Sequence, residues 1–130
     1  MNARFFLIGG LIFMILAVLL GAFGAHAIKP FLSEQHIQTW KTASDYHFYH
    51  ALGLISFGIW GERRNLDKLA IAAATLLIIG IIFFSGSLYL LAITGINKLG
   101  MITPIGGMMF ILGWMLWLGC VFRESARDTP

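Results

Sequence analysis

The sequence predicts an all-α, polytopic membrane protein, a four-transmembrane-helix bundle with a short amphipathic helix between spans one and two. Of its 130 residues, 58% are hydrophobic and only 12% are charged, about half the charged share of an average soluble domain. The charged residues are also clumped, because the runs 5–28, 69–97 and 99–122 contain no Asp, Glu, Lys or Arg. A helix needs about 20 apolar residues to cross a bilayer, so these runs exclude soluble, nucleic-acid-binding and disordered chains.

Breaks in the apolar pattern bound the spans, which together form a single transmembrane domain over residues 1–130. Pro30 ends the first span because proline cannot continue a helix. A charged turn at 62–65 ends the second span, Gly95 follows the third, and Pro104 lies in the first turn of the fourth. The predicted spans are about 4–27, 44–61, 67–93 and 103–123.

Residues 31–43 form the long connection of the predicted bundle. Ser33 can cap a helix that begins at Glu34, and apolar residues including Trp40 fall near one face of that helix. We expect a short amphipathic helix on the outer membrane surface, with Trp40 at the level of the lipid headgroups. The helix could also continue into the second span, because neither Gly nor Pro interrupts 31–52.

The distribution of lysine and arginine predicts how the bundle is oriented. The side that carries both termini and the 62–68 loop holds six of these residues, and the other side holds three. The positive-inside rule therefore places both termini in the cytoplasm of a multi-pass plasma-membrane protein. The six are Arg4, Arg63, Arg64, Lys68, Arg123 and Arg127, and the three are Lys29, Lys41 and Lys98.

Polar side chains gather in the outer half of the predicted bundle. Such groups cost several kcal/mol in hydrocarbon unless they are hydrogen-bonded. We therefore expect them to face inward and to form either a bonded network or a small wet cavity that opens to the outside. The candidate ligand-binding or polar-network residues are His26, Asp45, Tyr46, His47, His50, Ser85, Ser87, Tyr89 and Thr103.

Two interpretations of this cluster stay open. In the structural one, His26, His50, Ser87 and Tyr89 connect the helices by hydrogen bonds of about 0.6–2 kcal/mol each. In the functional one, His26, His47 and His50 form a ligand or proton site that faces outward, since titratable groups within a membrane often mark such sites.

Two catalytic chemistries receive less support from the spacing. A zinc site built from Asp45 and three histidines, His26, His47 and His50, lacks the i, i+4 histidine pair of one helix face and has no thiolate nearby. A serine nucleophile at Ser85 or Ser87 would need His50 within hydrogen-bonding reach and an oxyanion hole. We therefore expect no enzyme, no metal and no cofactor.

Four ordered motifs give the chain a resemblance to a known family. They are Gly21 to Ala27, Tyr46-x-x-x-His50-Ala51-Leu52, Phe84 to Tyr89, and Gly95 to Gly107 followed by Phe110 and Gly113-Trp114. Over about residues 5–120 the chain resembles the YgdD/YwdK-type small membrane proteins, a family defined by a domain of unknown function. The resemblance implies a four-helix bacterial inner-membrane protein, with relatives in eukaryotes and no established activity. The motif positions in this chain are His26, Tyr46, His50, Ser85, Ser87, Tyr89, Thr103 and Pro104, and His47 lies outside them.

These observations favour a small, non-enzymatic module for lipid or protein interaction. We expect its outward cleft to hold a lipid headgroup or a partner helix, and we expect a homo-oligomer or a partner membrane protein. The alternative is a small carrier or channel subunit that uses His26 and His50 as a proton or ion relay. Carriers usually place charged residues near the midplane, and the three longest runs have none, which favours the interaction module.

Overall fold

The computed structural model describes residues 2–127, with the backbone alone for 126 and 127, so the side chain of Arg127 lies outside the described residues. The regular structure in this range is helical throughout, which confirms the predicted all-α class. The helices are α1 (Ala3–Phe23), α2 (Glu34–Gly61), α3 (Lys68–Gly80), α4 (Ser87–Thr94) and α5 (Thr103–Arg127). A π-helical turn (Gly24–Ile28) and a 3₁₀ turn (Lys29–Phe31) extend α1, a π-helical segment (Ile81–Gly86) joins α3 to α4, and a 3₁₀ turn (Asn97–Met101) precedes α5.

Three continuous helical stretches, which we call rods, have the length and the apolar composition needed to cross a membrane. The first, third and fourth predicted spans lie on them. Helix α2, which carries the second predicted span, is not among them because its 44–61 segment includes Asp45 together with two histidines and two tyrosines. The described residues thus contain three candidate spans where the sequence predicts four. These are Ala3–Phe31, Lys68–Thr94 and Asn97–Ser125.

Helices α1 and α2 run antiparallel and touch through glycines. A Cβ atom added at Gly10 would lie 2.7 Å from the backbone nitrogen of Ile55, and one added at Gly58 would lie 2.6 Å from the Cα atom of Leu7. Small residues let helix backbones approach this closely. The obstructing atom is main chain at both positions, so a larger residue there would push the two helices apart.

Helix α2 is the least apolar of the long helices, and it also lies against the other two rods. Its Trp40 indole packs edge-on to the Tyr89 ring of α4, with 4.7 Å between ring centroids. Deeper in the bundle, the Phe57 ring packs edge-on to Trp117 of α5 at 5.2 Å. One face of the polar stretch of the chain is therefore packed against apolar helices, and the opposite face, which includes Tyr49, is exposed.

The segment before the second predicted span is part of α2 and is not a separate surface helix. As predicted, the Ser33 hydroxyl caps the helix by accepting a hydrogen bond from the backbone N–H of His36, and the helix then continues to Gly61. Trp40 is buried, and its indole N–H donates to the Leu20 carbonyl oxygen at 3.0 Å. The prediction of a separate short helix is wrong, and the alternative that the helix continues into the second span is confirmed. The segment is amphipathic as predicted, but its apolar face, with Trp40, packs into the bundle.

Glycines also allow α5 to pack closely against the rod formed by α3 and α4. A Cβ atom added at Gly106 would lie 2.8 Å from the Cα atom of Phe84, and one at Gly113 would lie 3.0 Å from the Ala73 carbonyl oxygen. The rod ends at Gly95, whose φ of 70° lies in the left-handed region that favours glycine. This turn is where the sequence predicts the third span to end.

The bundle has two distinct ends. We call one the termini end, because it holds the 62–67 connection and both ends of the described chain. We call the other the cleft end, which holds residues 24–44 and 94–103. This arrangement follows because successive long helices run in opposite directions. The side for which the sequence predicts more lysine and arginine is the termini end.

Ion pairs connect α5 to the rest of the chain at the termini end. Arg64 Nε lies 2.5 Å from Glu124 Oε1, and Arg123 Nη2 lies 2.6 Å from Asp67 Oδ2. Asp67 also caps α3 by accepting the Ala70 N–H at 2.9 Å. This cap bond, followed by the bond from Arg123, lowers the pKa of the Asp67 carboxyl. The paired side chains are exposed, so each pair contributes little to stability and mainly fixes the position of α5.

Candidate binding site

A cleft of about 410 Å³ lies at the cleft end, between the last turns of α1 and the first turns of α2. Gly21, Gly24 and Ala25 form one wall, and the Trp40 indole lines the other side. A Cβ atom added at Gly24 would collide with the Trp40 ring. Glycine at this position is therefore what admits the indole.

Three charged side chains line the cleft. Lys41 Nζ and Asp45 Oδ2 lie 2.6 Å apart, in an i, i+4 ion pair on α2. The hydrogen bond from this pair raises the pKa of the Lys41 ammonium. Lys29 forms no ion pair with any described residue. The rim therefore has a formal net charge of +1, and the Lys29 ammonium is free to bind an anion.

A short chain of polar side chains leads from the cleft into the bundle. Ser44 lines the cleft and lies within hydrogen-bonding reach of the Tyr89 hydroxyl, which is 3.4 Å from His47 Nδ1. His47 and Tyr89 are only 4% and 8% exposed. The His47 ring packs edge-on to Phe13 and approaches its carbonyl group, yet Nε2 makes no hydrogen bond of normal geometry with a described residue. These contacts join α1, α2 and α4 below the cleft.

His50 is held by its own helix and by aromatic rings. Its Nδ1 lies 2.7 Å from the Tyr46 carbonyl oxygen, and a carbonyl only accepts, so Nδ1 is the donor in this hydrogen bond. The imidazole stacks on Phe110 with 3.4 Å between ring centroids. The Tyr46 ring packs on Phe84 at 4.6 Å. His50 thus connects α2 to α5 by stacking.

The hydroxyl groups of the third and fourth predicted spans form a separate contact. Ser87 donates to the Phe84 carbonyl at 3.0 Å and accepts from Thr103 at 2.8 Å, which links α4 to α5. Ser85 is fully buried in the π-helical segment, and its hydroxyl has no partner among the described residues. It therefore forms no hydrogen bond with His50, the base that a serine nucleophile would need.

The structure does not bring all the candidate residues together. His26 is exposed on the π-helical turn after α1 and makes no hydrogen bond or ring contact with the other candidates in the described chain. Asp45 lies at the cleft rim, apart from the buried histidines. No three His, Cys, Asp or Glu side chains between residues 2 and 125 are grouped so that they could hold a metal ion. The predicted cluster is thus divided into a rim, a polar chain and two interhelical contacts.

Sequence reasoning missed most of the cleft. The spacing of Gly21 and Gly24 indicates a close helix contact, but it does not identify the side chain that fills the gap. Hydropathy patterns describe one helix at a time, whereas the cleft joins two helices and the turn that follows α1. The missed cleft residues are Lys29, Trp40, Lys41 and Ser44.

Comparisons with known proteins identify the family. A family described as "Protein of unknown function (DUF423)" matches residues 20–107, which include the cleft. A UPF0382 membrane protein of Staphylococcus haemolyticus is 42% identical over 120 residues, which cover 92% of this chain and 97% of the relative. The UPF0382 membrane protein YwdK of Bacillus subtilis is 42% identical over 113 residues, or 87% of this chain and 92% of the relative.

A further relative supports the same assignment. A UPF0382 membrane protein of Staphylococcus saprophyticus is 43% identical over 120 residues, which cover 92% of this chain and 98% of the relative. No solved structure matches the chain. The resemblance to YwdK-type proteins is confirmed, and the chain belongs to the DUF423 family of proteins of unknown function, with relatives that are bacterial membrane proteins.

Proposed function

We propose that this protein is a non-enzymatic lipid-interaction module of the bacterial plasma membrane that holds one lipid in the cleft between α1 and α2. The observation that carries the proposal is the pairing of an apolar wall with a charged rim in one cleft of about 410 Å³. This volume falls in the range of about 300–1,000 Å³ typical of small-molecule sites. An amphiphile at a membrane surface presents the matching pair of an apolar chain and a polar headgroup.

The proposal includes α2 as a fourth span, with both termini in the cytoplasm. In support, α2 lies alongside α1 as far as the termini end, where a Cβ atom added at Gly61 would lie 2.9 Å from the Cβ atom of Ala3. His47 and His50 of α2 are more than nine-tenths buried by protein, which lowers the cost of placing them at membrane depth. The lysine and arginine excess at the termini end supports the orientation.

Single cysteines test this topology. Cys120 is the one native cysteine, so Gln35→Cys at the start of α2 and Asn65→Cys just after its end are each introduced into a Cys120→Ala chain. A membrane-impermeant maleimide is expected to label Gln35→Cys in intact spheroplasts and Asn65→Cys only after permeabilisation. The reverse pattern would contradict the orientation, and labelling of both positions in intact cells would contradict four spans.

A pair of matched variants tests lipid binding. Ala25 and Ala27 are both exposed near the end of α1, but only Ala25 lines the cleft. Ala25→Trp fills the cleft with an indole, and Ala27→Trp adds the same ring outside it. Native mass spectrometry of protein purified in mild detergent is expected to show one retained lipid for wild type and Ala27→Trp, and none for Ala25→Trp.

Other outcomes would overturn the proposal. Retention of no lipid by the wild type, or equal retention by both tryptophan variants, contradicts a lipid site in this cleft. A stoichiometric membrane protein that co-purifies with wild type and Ala27→Trp, but not with Ala25→Trp, would assign the cleft to a partner helix. Self-association and an ion relay through His26 and His50 remain predictions. Within the described chain His26 and His50 make no hydrogen bond or ring contact with each other, so we favour the lipid module over the relay.

A further inference from the structure

The cleft wall presents almost only carbon to a ligand. Gly21 and Ala25 contribute backbone and one methyl group, and Ile37 contributes a branched chain. The indole N–H of Trp40 is already bound to the Leu20 carbonyl, so its ring offers the cleft an apolar surface. This wall fits the start of an acyl chain.

The charges at the rim show which headgroup could accompany that chain. Lys29 is exposed and forms no ion pair with a described residue, whereas Lys41 and Asp45 are paired at 2.6 Å. The side chains of that pair are 66% and 40% exposed, so both charges can be reached from the mouth of the cleft. An exposed pair of this kind contributes little to stability and can exchange partners. The rim therefore offers sites for both an anion and a cation.

We propose that the cleft binds a phospholipid with a phosphoethanolamine headgroup, with its phosphate at Lys29 and its ammonium at Asp45. This inference rests on the proposed lipid-binding function. The lipid ammonium donates its N–H groups to the Asp45 carboxylate and replaces the Lys41 ammonium there. The released Lys41 ammonium then binds the phosphate together with Lys29. The glycerol backbone and the first acyl carbons lie along the wall formed by Gly21 and Ala25.

The carboxylate at the rim makes the site selective among headgroups. A headgroup of net negative charge, such as phosphoglycerol, can place its phosphate at Lys29 but has no cation for Asp45, which then stays paired with Lys41. A phosphocholine group has a cation but no N–H to donate to the carboxylate. A neutral sugar headgroup has no phosphate for Lys29. Phosphoethanolamine alone among these four satisfies both ends of the rim.

The test compares four short-chain lipids that share one pair of acyl chains. Dissociation constants are measured by native mass spectrometry for lipids with phosphoethanolamine, phosphocholine, phosphoglycerol and glucosyl headgroups. One lysine at a phosphate near a membrane surface contributes about a fivefold change in affinity. We expect Lys29→Gln to weaken phosphoethanolamine lipid binding about fivefold, and Asp45→Asn to remove its preference over phosphocholine.

Two controls make these results specific. Lys98 is an exposed lysine at the same end of the bundle, outside the cleft, so Lys98→Gln is expected to leave every constant unchanged. Free glycerophosphoethanolamine, which lacks acyl chains, is expected not to displace the lipid, because it cannot use the wall. Displacement by this water-soluble headgroup would show that a free phosphate compound is the ligand.

The outcomes separate this inference from the proposed function. If the wild type binds all four lipids equally and Ala25→Trp binds none, the lipid module stands and the headgroup assignment is wrong. Equal losses from Lys29→Gln and Lys98→Gln would also refute it, because general surface charge would then explain the binding. If the wild type binds none of the four lipids, the proposed function itself fails.

Discussion

Two adjacent glycines of α1 allow the α1–α2 contact to be tested with a matched control. A Cβ atom added at Gly10 would lie 2.7 Å from the Ile55 backbone nitrogen and 3.0 Å from the Leu54 backbone carbonyl carbon. A Cβ atom added at Gly9 would meet nothing within 4 Å. Alanine at the two positions therefore changes the same helix by the same methyl group, but only one of these methyl groups enters the contact.

The expected difference follows from the distances. Non-bonded carbon atoms normally lie about 3.5–4.0 Å apart, so Gly10→Ala must part the two helices by roughly 1 Å. Overpacking of this kind costs about 1–3 kcal/mol. Both variants gain about 0.5–1 kcal/mol because alanine favours a helix more than glycine does. This gain cancels in the comparison, so Gly10→Ala is expected to be about 1–3 kcal/mol less stable than Gly9→Ala.

Reversible unfolding in mixed micelles, followed by tryptophan fluorescence and circular dichroism, measures this difference. Gly9→Ala is expected to unfold at the same denaturing-detergent fraction as the wild type or at a higher one, and Gly10→Ala at a lower one. Gly58→Ala, whose Cβ atom would meet the Leu7 backbone from the opposite helix, is expected to behave like Gly10→Ala. Equal stability of the Gly9 and Gly10 variants would refute the close antiparallel packing of α1 on α2.

Three further predictions use the same unfolding assay. Ser87→Ala and Thr103→Ala are expected to show a double-mutant coupling of about 0.6 kcal/mol, the average for hydrogen bonds measured in one membrane protein; zero coupling would mean that the hydroxyls do not bond. His26→Ala and Tyr89→Phe are expected to be additive within about 0.5 kcal/mol, because the structure holds them apart, and a larger interaction energy would place them in one network. The lowered pKa of the Asp67 carboxyl stabilises the fold above its unfolded-state value, and this contribution is lost as the pH falls through the folded-state value. Asp67→Asn is therefore expected to unfold with less dependence on acidic pH, and unchanged acid sensitivity would contradict the cap and ion pair.

Helix positions were largely predictable because their signals are local. Charge-free runs, the Ser33 cap and the break at Gly95 each act within one or two turns of chain. The predicted end of the first span before Pro30 is wrong, because a 3₁₀ turn that contains this proline extends the rod to Phe31. The predicted third span, 67–93, differs from the observed rod Lys68–Thr94 by one residue at each end. The π-helical segment inside that rod was not predicted, since no residue pattern in 81–86 distinguishes it from α-helix.

Trp40 shows why the candidate site was less predictable. Its position in the sequence is typical of an interfacial anchor, and the preference of tryptophan for headgroups is a property of the residue alone. Its burial depends on Gly24, 16 positions earlier, which leaves room for the indole beside the Leu20 carbonyl. His26 shows the opposite case, since its predicted depth is close to that of the other polar residues but its side chain is exposed and makes no hydrogen bond or ring contact with them in the described chain.

The sequence by itself determined the all-helical class and the candidate spans at the two ends of the chain and in its third quarter. These features depend on composition and on periodicity along single helices. Only the tertiary structure decided that α2 lies against all the other rods, that the polar residues separate into a rim, a polar chain and two interhelical contacts, and that Lys29, Lys41 and Asp45 share one cleft. Those relations depend on helix rotation and on contacts between distant residues, which steric fit at glycines such as Gly10 and Gly24 determines once the helices meet.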